Sequence, residues 1–182
     1  MANKHPRVNI HQPGPGVGGH CLAIDPYFIC AKAPEEAKLI RLARDTNTSM
    51  PRFVVEQVKM LVHGIDNPKI AAFGVTYKGN VDDVRESPSL EIIQLLQKEG
   101  LQVAIYDPHV KDPSYVDLET AVTDADLLVI LTDHNEYKNM DLENIARRMR
   151  HPVLFDTRNI VHGAEGTGLT VVNYGNLYKF KK

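Results

Sequence analysis

Apolar positions along this chain change their period near residue 66. Upstream, Ala37, Ile40 and Ala43 recur three residues apart with Leu39 beside them, a helical spacing. The pattern predicts a helix opened by Pro34, with Glu35 and Glu36 in a first turn that tolerates proline and favours acidic groups. Val54, Val58 and Leu61, with Val55 and Val62, predict a second helix from Met50 to His63. Thr48 or Ser49 is its candidate cap, Pro51 sits in its first turn and Gly64 ends it. The two helices are either separate or joined through a kink. They pack either within one chain or against the same pair in a second subunit.

Asp66-Asn67-Pro68 reads as a turn or linker. Beyond it, short continuous apolar runs alternate with helical segments. Strands are expected over 69–75, 101–106, 127–131 and 153–155, and helices over 88–99, 117–122 and 142–150. Buried strands separated by helices indicate βαβ units and a parallel sheet, hence an α/β fold.

Composition excludes more than it assigns. The chain has 182 residues, 43% hydrophobic and 24% charged, enough apolar mass for a core. A net charge of −2 provides no basic footprint for nucleic acid. No apolar run reaches the length of a membrane span. Met1 to Pro6 carries no signal-peptide core, and two cysteines form no disulfide framework. The expected setting is the cytoplasm. Eight histidines are scattered without metal-ligand spacing, so no metal is expected.

One segment changes the picture. Pro13-Gly14-Pro15-Gly16-Val17-Gly18-Gly19-His20-Cys21 places four glycines and two prolines ahead of a thiol, with Asp25 four residues later. Such a loop carries few side chains and lets backbone come close to a ligand. The thiol sits at its mouth near bare N–H groups, an arrangement suited to a nucleophile that attacks a carbonyl and needs its oxyanion held. Cys30, which follows the apolar run Tyr27-Phe28-Ile29, reads instead as a packing residue. The loop also matches G-x-G-x-x-G, with Glu35 and Glu36 downstream. A dinucleotide site needs a strand before the motif and a helix opening from it. Only Arg7-Val8-Asn9-Ile10 precedes, and Pro26 comes soon after, so a helix is not expected there and the match is rejected.

Ligands of parallel sheets bind beyond the carboxyl ends of the strands. Four segments fall there: Gly74 to Gly79, Asp82 to Ser89, Tyr106-Asp107-Pro108 and Asp156-Thr157-Arg158-Asn159. Lys78 and the N–H groups near Ser87 to Ser89 suit phosphate, and Arg158 suits phosphate or a base.

These motifs together resemble the UDP-glucose/GDP-mannose dehydrogenase family, the nucleotide-sugar 6-dehydrogenases. The family's catalytic loop, roughly G-x-G-F-G-G-x-C-x-P-K-D, is matched by Gly18, Gly19, Cys21 and Asp25. The C-terminal-domain motifs appear in order as Tyr77-Lys78, Asp82-Asp83-Val84-Arg85-Glu86-Ser87-Pro88, Tyr106-Asp107-Pro108 and Phe155-Asp156-Thr157-Arg158. Ala23 and Ile24 replace the Pro-Lys of the UDP-glucose and GDP-mannose enzymes, a variant similar to the branch that oxidises UDP-N-acetylmannosamine.

The resemblance implies a Rossmann-like parallel sheet domain over 67–182, preceded by a truncated helical dimerisation region with the Cys loop over 1–66. It implies Cys21 as nucleophile, Asp25 beside it, and a UDP-sugar held by Gly18, Gly19, Lys78 and Arg158. Arg7 is implied to reach a neighbouring subunit's substrate in a homodimer. Arg85 is implied to pair with Asp82 or Asp83. NAD is the implied cofactor, bound by an N-terminal domain expected to be missing from this chain, with the family's catalytic Lys and Asn. The alternative reading is a non-catalytic UDP-sugar-binding module, or a split subunit that needs a separate NAD domain.

Overall fold

A computed structural model describes residues 2–7 and 10–180. Its centre is a five-stranded, wholly parallel sheet in the order β2-β1-β3-β4-β5. The strands are β1 (Lys69–Phe73), β2 (Gln102–Tyr106), β3 (Leu127–Ile130), β4 (Val153–Asp156) and β5 (Thr170–Val172). Register pairs Ala71 with Ala104 on one side and with Leu128 on the other. Four of the five residues of β1 and all four of β3 are buried, so both strands are covered on both faces. That is why they read as unbroken apolar runs.

Alternate residues of each strand feed two separate cores. Ile70, Ala72, Leu127 and Val129 pack with Val54, Val58, Ile92 and Leu96 on one face. Ala71, Phe73, Leu128 and Ile130 pack with Tyr137, Ile145 and Leu154 on the other. Each buried branched side chain contributes about 1.5–3 kcal/mol. The first layer comes from α2 (Lys38–Leu61) and α3 (Pro88–Lys98), and the second includes α4 (Leu118–Val122), α5 (Asn135–Lys138) and α6 (Leu142–Arg148). Local signals set several ends. Pro88 opens α3 behind an extended Ser87, and Gly100, at φ +82°, lies just past its end. Asp117 and Asp141 cap α4 and α6 by accepting from the N–H groups of Thr120 (2.7 Å) and Asn144 (3.0 Å).

Several sequence expectations are corrected. A helix, α1 (Asp25–Lys32), does open just beyond the glycine loop. Pro26 stands in its first turn, where the missing N–H is no loss. Cys30 lies in α1 half-buried, and α1 contributes no fully buried residue, so Cys30 is not a core residue. Of the two upstream arrangements left open, the structure has the joined one: a single helix, α2, with Pro51 inside it. Ser49 does not cap: its hydroxyl donates back to the Thr46 carbonyl at 2.7 Å within the helix. Strand β1 stops at Phe73 because Gly74 takes φ +92° against the Thr132 side chain. The strand β5 and the short helix α5 are additions to the expected set. No described helix is long and apolar enough to cross a membrane.

The chain runs from β1 to β2 on one side and returns to β3 on the other. This reversal leaves a crevice at the carboxyl ends of β1 and β3, the usual ligand position in such sheets. The loops 74–80 and 131–135 meet there.

Candidate active site

The glycine loop lies against this carboxyl edge, and its missing side chains are what let it. A Cβ on Gly18 would collide with the Glu86 carbonyl and stand 2.8 Å from Pro88 Cδ. One on Gly19 would stand 3.0 Å from the Tyr77 ring, and one on Gly14 would overlap the Arg158 guanidinium. Gly19 also needs its positive φ of +86°. Two of the loop's N–H groups are not bare. That of Val17 donates to Asn47 Oδ1 at 2.8 Å, and that of Gly19 to the Arg85 carbonyl at 3.3 Å. Gly18→Ala should therefore lever the loop off the sheet and cost about 1–3 kcal/mol, the usual range for overpacking. Urea unfolding checks this, and a variant as stable as the parent would refute the close packing.

Cys21 ends the loop in an exposed position, with its Sγ 3.1 Å from His20 Nδ1. The Cys21 carbonyl accepts from the N–H groups of Ile24 (3.0 Å) and Asp25 (2.8 Å), a turn that leads directly into α1. Asp25 thus stands one helical turn beyond the thiol, exposed at the helix start, where the dipole favours its charge. No hydrogen bond joins the Cys21 and Asp25 side chains among the described residues. Arg7 lies in an exposed turn. It makes no described side-chain hydrogen bond or ion pair with the other candidates. Val8 and Asn9, in the stretch that precedes the glycine motif, lie outside the described residues.

On the sheet side, Lys78 is exposed on the loop after β1, whose form is dictated by buried polar groups. His134 is fully buried and accepts the Asn80 N–H at Nδ1 (2.9 Å). That bond requires Nδ1 to be unprotonated, so Nε2 carries the proton and donates to Asp107 Oδ2 at 3.1 Å. Asp107 also accepts from the N–H groups of Val75, His109 and Val110 (2.8, 2.8 and 3.0 Å). Burial alone would raise the Asp107 carboxyl; the hydrogen bonds from His134 and the backbone override it and hold the group below its ordinary value.

Arg158 is mostly buried and pairs with Asp133 at 3.1 Å, while its Nε is buried without a partner. Burial works to raise Asp133, but the Arg158 charge prevails and the carboxyl sits low. Asp156 shapes the Arg158 loop by accepting from the N–H groups of Arg158, Ile160 and Val161 (3.0, 2.7 and 2.8 Å). Arg85 pairs with Asp83, through Nε at 3.0 Å and Nη2 at 2.6 Å, and that hydrogen-bonded guanidinium lowers the Asp83 carboxyl to about 2.

The structure thus brings Cys21, Gly18, Gly19 and Arg158 to one edge, with Tyr77 and the Lys78 loop beneath the glycines. It does not bring Arg7 into that constellation. Sequence reasoning missed Asn47, Asp133 and His134. The last two come directly after β3, so the criterion applied to the other strand ends would have found them. Asn47 sits in a helical pattern with no such signal. His109, His134 and Glu136 place ligand atoms within 4.8 Å of one another. Both ring nitrogens of His134 are already committed, so a metal would have to displace a hydrogen bond.

A parallel sheet in this order, with a crevice at its carboxyl edge, is a Rossmann-like fold. The UDP-glucose/GDP-mannose dehydrogenase family matches directly: its UDP binding domain over residues 71–163 and its central domain over residues 1–49. The chain belongs to this family. It is 53% identical over 167 residues to the UDP-N-acetyl-D-mannosamine dehydrogenase of Methanocaldococcus jannaschii, covering 89% of this chain and 39% of that protein. The solved structure of the UDP-N-acetyl-mannosamine dehydrogenase Cap5O from S. aureus superposes with a TM-score of 0.87 at 51% identity, over 100% of this chain and 43% of that one. The enzyme from Pyrococcus horikoshii gives 0.85 at 40% identity, over 96% and 42%. The chain therefore spans about two-fifths of the length of the relatives it matches.

Proposed function

We propose that this chain supplies the nucleotide-sugar side and the nucleophile of a UDP-sugar 6-dehydrogenase, acting on UDP-N-acetylmannosamine in the cytoplasm. The single observation that carries the reading is the seating of the Cys21 loop on Tyr77 and Arg158. It puts a thiol and the candidate nucleotide-binding residues on one edge. Residues 1–66 act as the central helical region and 67–182 as the UDP-sugar domain, in keeping with the two family matches. Phe28, Leu39 and Leu42 lie exposed on α1 and the start of α2, at 68%, 78% and 62%, which suits burial against a second subunit as a homodimer.

NAD is the cofactor of this reading, and the residues present do not form its cradle. The only G-x-G-x-x-G of the chain is packed on Arg158, Pro88, Glu86 and Tyr77 rather than open at a helix N-terminus. On this reading NAD would be held by another part of the enzyme and would supply the oxidising power of the reaction. This chain's part is covalent and positional. Cys21 Sγ adds to the C6 aldehyde, forming a C–S bond while the thiol proton passes to a base; His20 Nδ1 is within reach. The C–S adduct is still at the aldehyde level, and the two-electron oxidation that takes it to a thioester is what NAD would supply. Water then adds to the thioester carbon, the C–S bond breaks and a proton returns to sulfur. Asp25, one turn on, orients that water. Lys78 and Arg158 hold the diphosphate and base, with the glycine backbone at Gly18 and Gly19 alongside, and Arg7 serves a neighbouring subunit's substrate.

UDP binding to the chain itself tests this. A ligand at a hundred times its Kd stabilises the native state by about 2.7 kcal/mol. UDP should raise the melting midpoint more than GDP does. Lys78→Ala and Arg158→Ala should each weaken binding on the order of tenfold, the loss of a charge-assisted contact. No shift with either nucleotide would overturn the assignment. A shift with UDP but no NADH formation after reconstitution with an NAD domain would favour the non-catalytic binding module.

A further inference from the structure

We propose that Asn47 is a positioning residue that holds the Cys21 loop in register with the sheet edge. The inference rests on the reading of Cys21 as nucleophile. Asn47 lies in the middle of α2, where asparagine has no helical advantage. Its side chain grips one loop residue at both backbone groups: Oδ1 accepts the Val17 N–H at 2.8 Å and Nδ2 donates to the Val17 carbonyl at 3.2 Å. The pair reproduces the two-bond exchange between facing strand residues. It fixes the orientation of the Val17 peptides as well as their distance from α2.

That grip matters because the chain beyond Val17 is pliable. Between Val17 and Cys21 stand Gly18, Gly19 and His20, and glycine has the widest choice of backbone conformation. On the sheet side, the loop is held by one long hydrogen bond, Gly19 N–H to the Arg85 carbonyl at 3.3 Å, and by contact with Pro88 and Tyr77. Packing limits how far the loop can move, but one hydrogen bond does little to fix its orientation, and Asn47 supplies a second fixed point from the opposite element. Without it the place of the thiol relative to Lys78 and Arg158 is set only by the turn into α1 and by the glycine contacts with the sheet edge. An alanine or leucine at 47 fits the helix as well and offers neither partner. An aspartate keeps the acceptor for the Val17 N–H and faces the Val17 carbonyl with a second oxygen.

The test uses the full 182-residue chain with Asn47→Leu and Asn47→Asp. Amide hydrogen exchange is followed by peptide, and iodoacetamide labelling of Cys21 is compared with that of Cys30 in the same molecule. In Asn47→Leu, amide protection over residues 14–21 should fall by roughly tenfold or more, as expected for two lost hydrogen bonds. The exchange of β1 and β3 should not change. Cys21 labelling should change from the parent rate as the loop loses its fixed point, while Cys30 labelling keeps the parent rate. A purely structural role would lower the melting midpoint and move both thiols together, and that result overturns the proposal. So does unchanged exchange over 14–21. If the leucine variant does not fold, Asn47→Asp decides by the same two readouts. Failure of the proposed function is separate: it shows as a Cys21→Ser enzyme with normal turnover, whatever the exchange of the loop.

Discussion

Asp107→Ala is expected to be the most destabilising substitution in the sheet domain, costing about 3–5 kcal/mol, the range for breaking a buried hydrogen-bonded charge network. The Asp107 side chain is fully buried. It accepts from four donors: three backbone N–H groups that begin the loops after β1 and β2, and Nε2 of His134. Alanine leaves all four facing a void, and each orphaned donor costs on the order of 1–3 kcal/mol unless water reaches it. Asp107→Asn fits the space but presents an amide N–H₂ to N–H donors on one side, so it should fall between parent and alanine. The sign of the pH effect comes from the direction of the shift. A carboxyl held low in the folded state stabilises above its unfolded value, near 3.9, and that stability is lost as pH falls through the folded value. The gap between parent and Asp107→Asn should therefore be widest at neutral pH and close progressively below about pH 4. Urea unfolding at pH 7 and pH 3.5 measures both effects. An alanine variant within about 1 kcal/mol of the parent would show that the network does not organise these loops.

The same network marks the limit of what the sequence discloses. Runs such as Ile70–Phe73 and Leu127–Ile130 announce themselves because both faces of a central parallel strand are apolar. Pro88 and Asp117 mark helix starts by chemistry confined to one turn. Thr170–Val172 is three residues at a sheet edge, partly exposed, and its pairing with β4 leaves no periodic trace. Pro26 misleads because a proline reads alike as a stop and as an opening in the first turn of a helix. Ser49 looks like a cap until its hydroxyl turns back onto its own helix. Among candidate site residues, Cys21, Lys78 and Arg158 are legible from residue type at a loop or strand end. Asn47 and His134 act on Val17 and Asn80 across 30 and 54 residues of chain. Such contacts exist only once the sheet has assembled.

If Cys21 is the nucleophile proposed above, Cys21→Ser, tested after reconstitution with an NAD-binding domain, should reduce overall turnover on the order of a thousandfold or more, as loss of a nucleophile does elsewhere. Sulfur is nucleophilic near neutral pH and leaves readily when a thioester is hydrolysed; a serine hydroxyl is poor at both. The position offers serine little help. Cys21 is exposed, with only His20 Nδ1 at 3.1 Å to take a proton and no third group among the described residues to orient that imidazole. Such a variant should stall at the aldehyde or accumulate an ester. On the proposed reading UDP stabilisation should persist, because Lys78 and Arg158 are untouched. Cys30→Ser provides the control. Its Sγ lies 4.0 Å from the Ala37 carbonyl at a half-buried place in α1, and a serine hydroxyl can donate to the same acceptor. Turnover should stay near the parent value and stability should change by less than about 1 kcal/mol. Were Cys21 merely structural, the order would reverse: its serine variant would lose stability, and activity would fall only with the folded fraction. Turnover, thermal midpoint and UDP shift measured on both variants separate the two cases, and near-normal turnover in Cys21→Ser would remove the nucleophile from this mechanism.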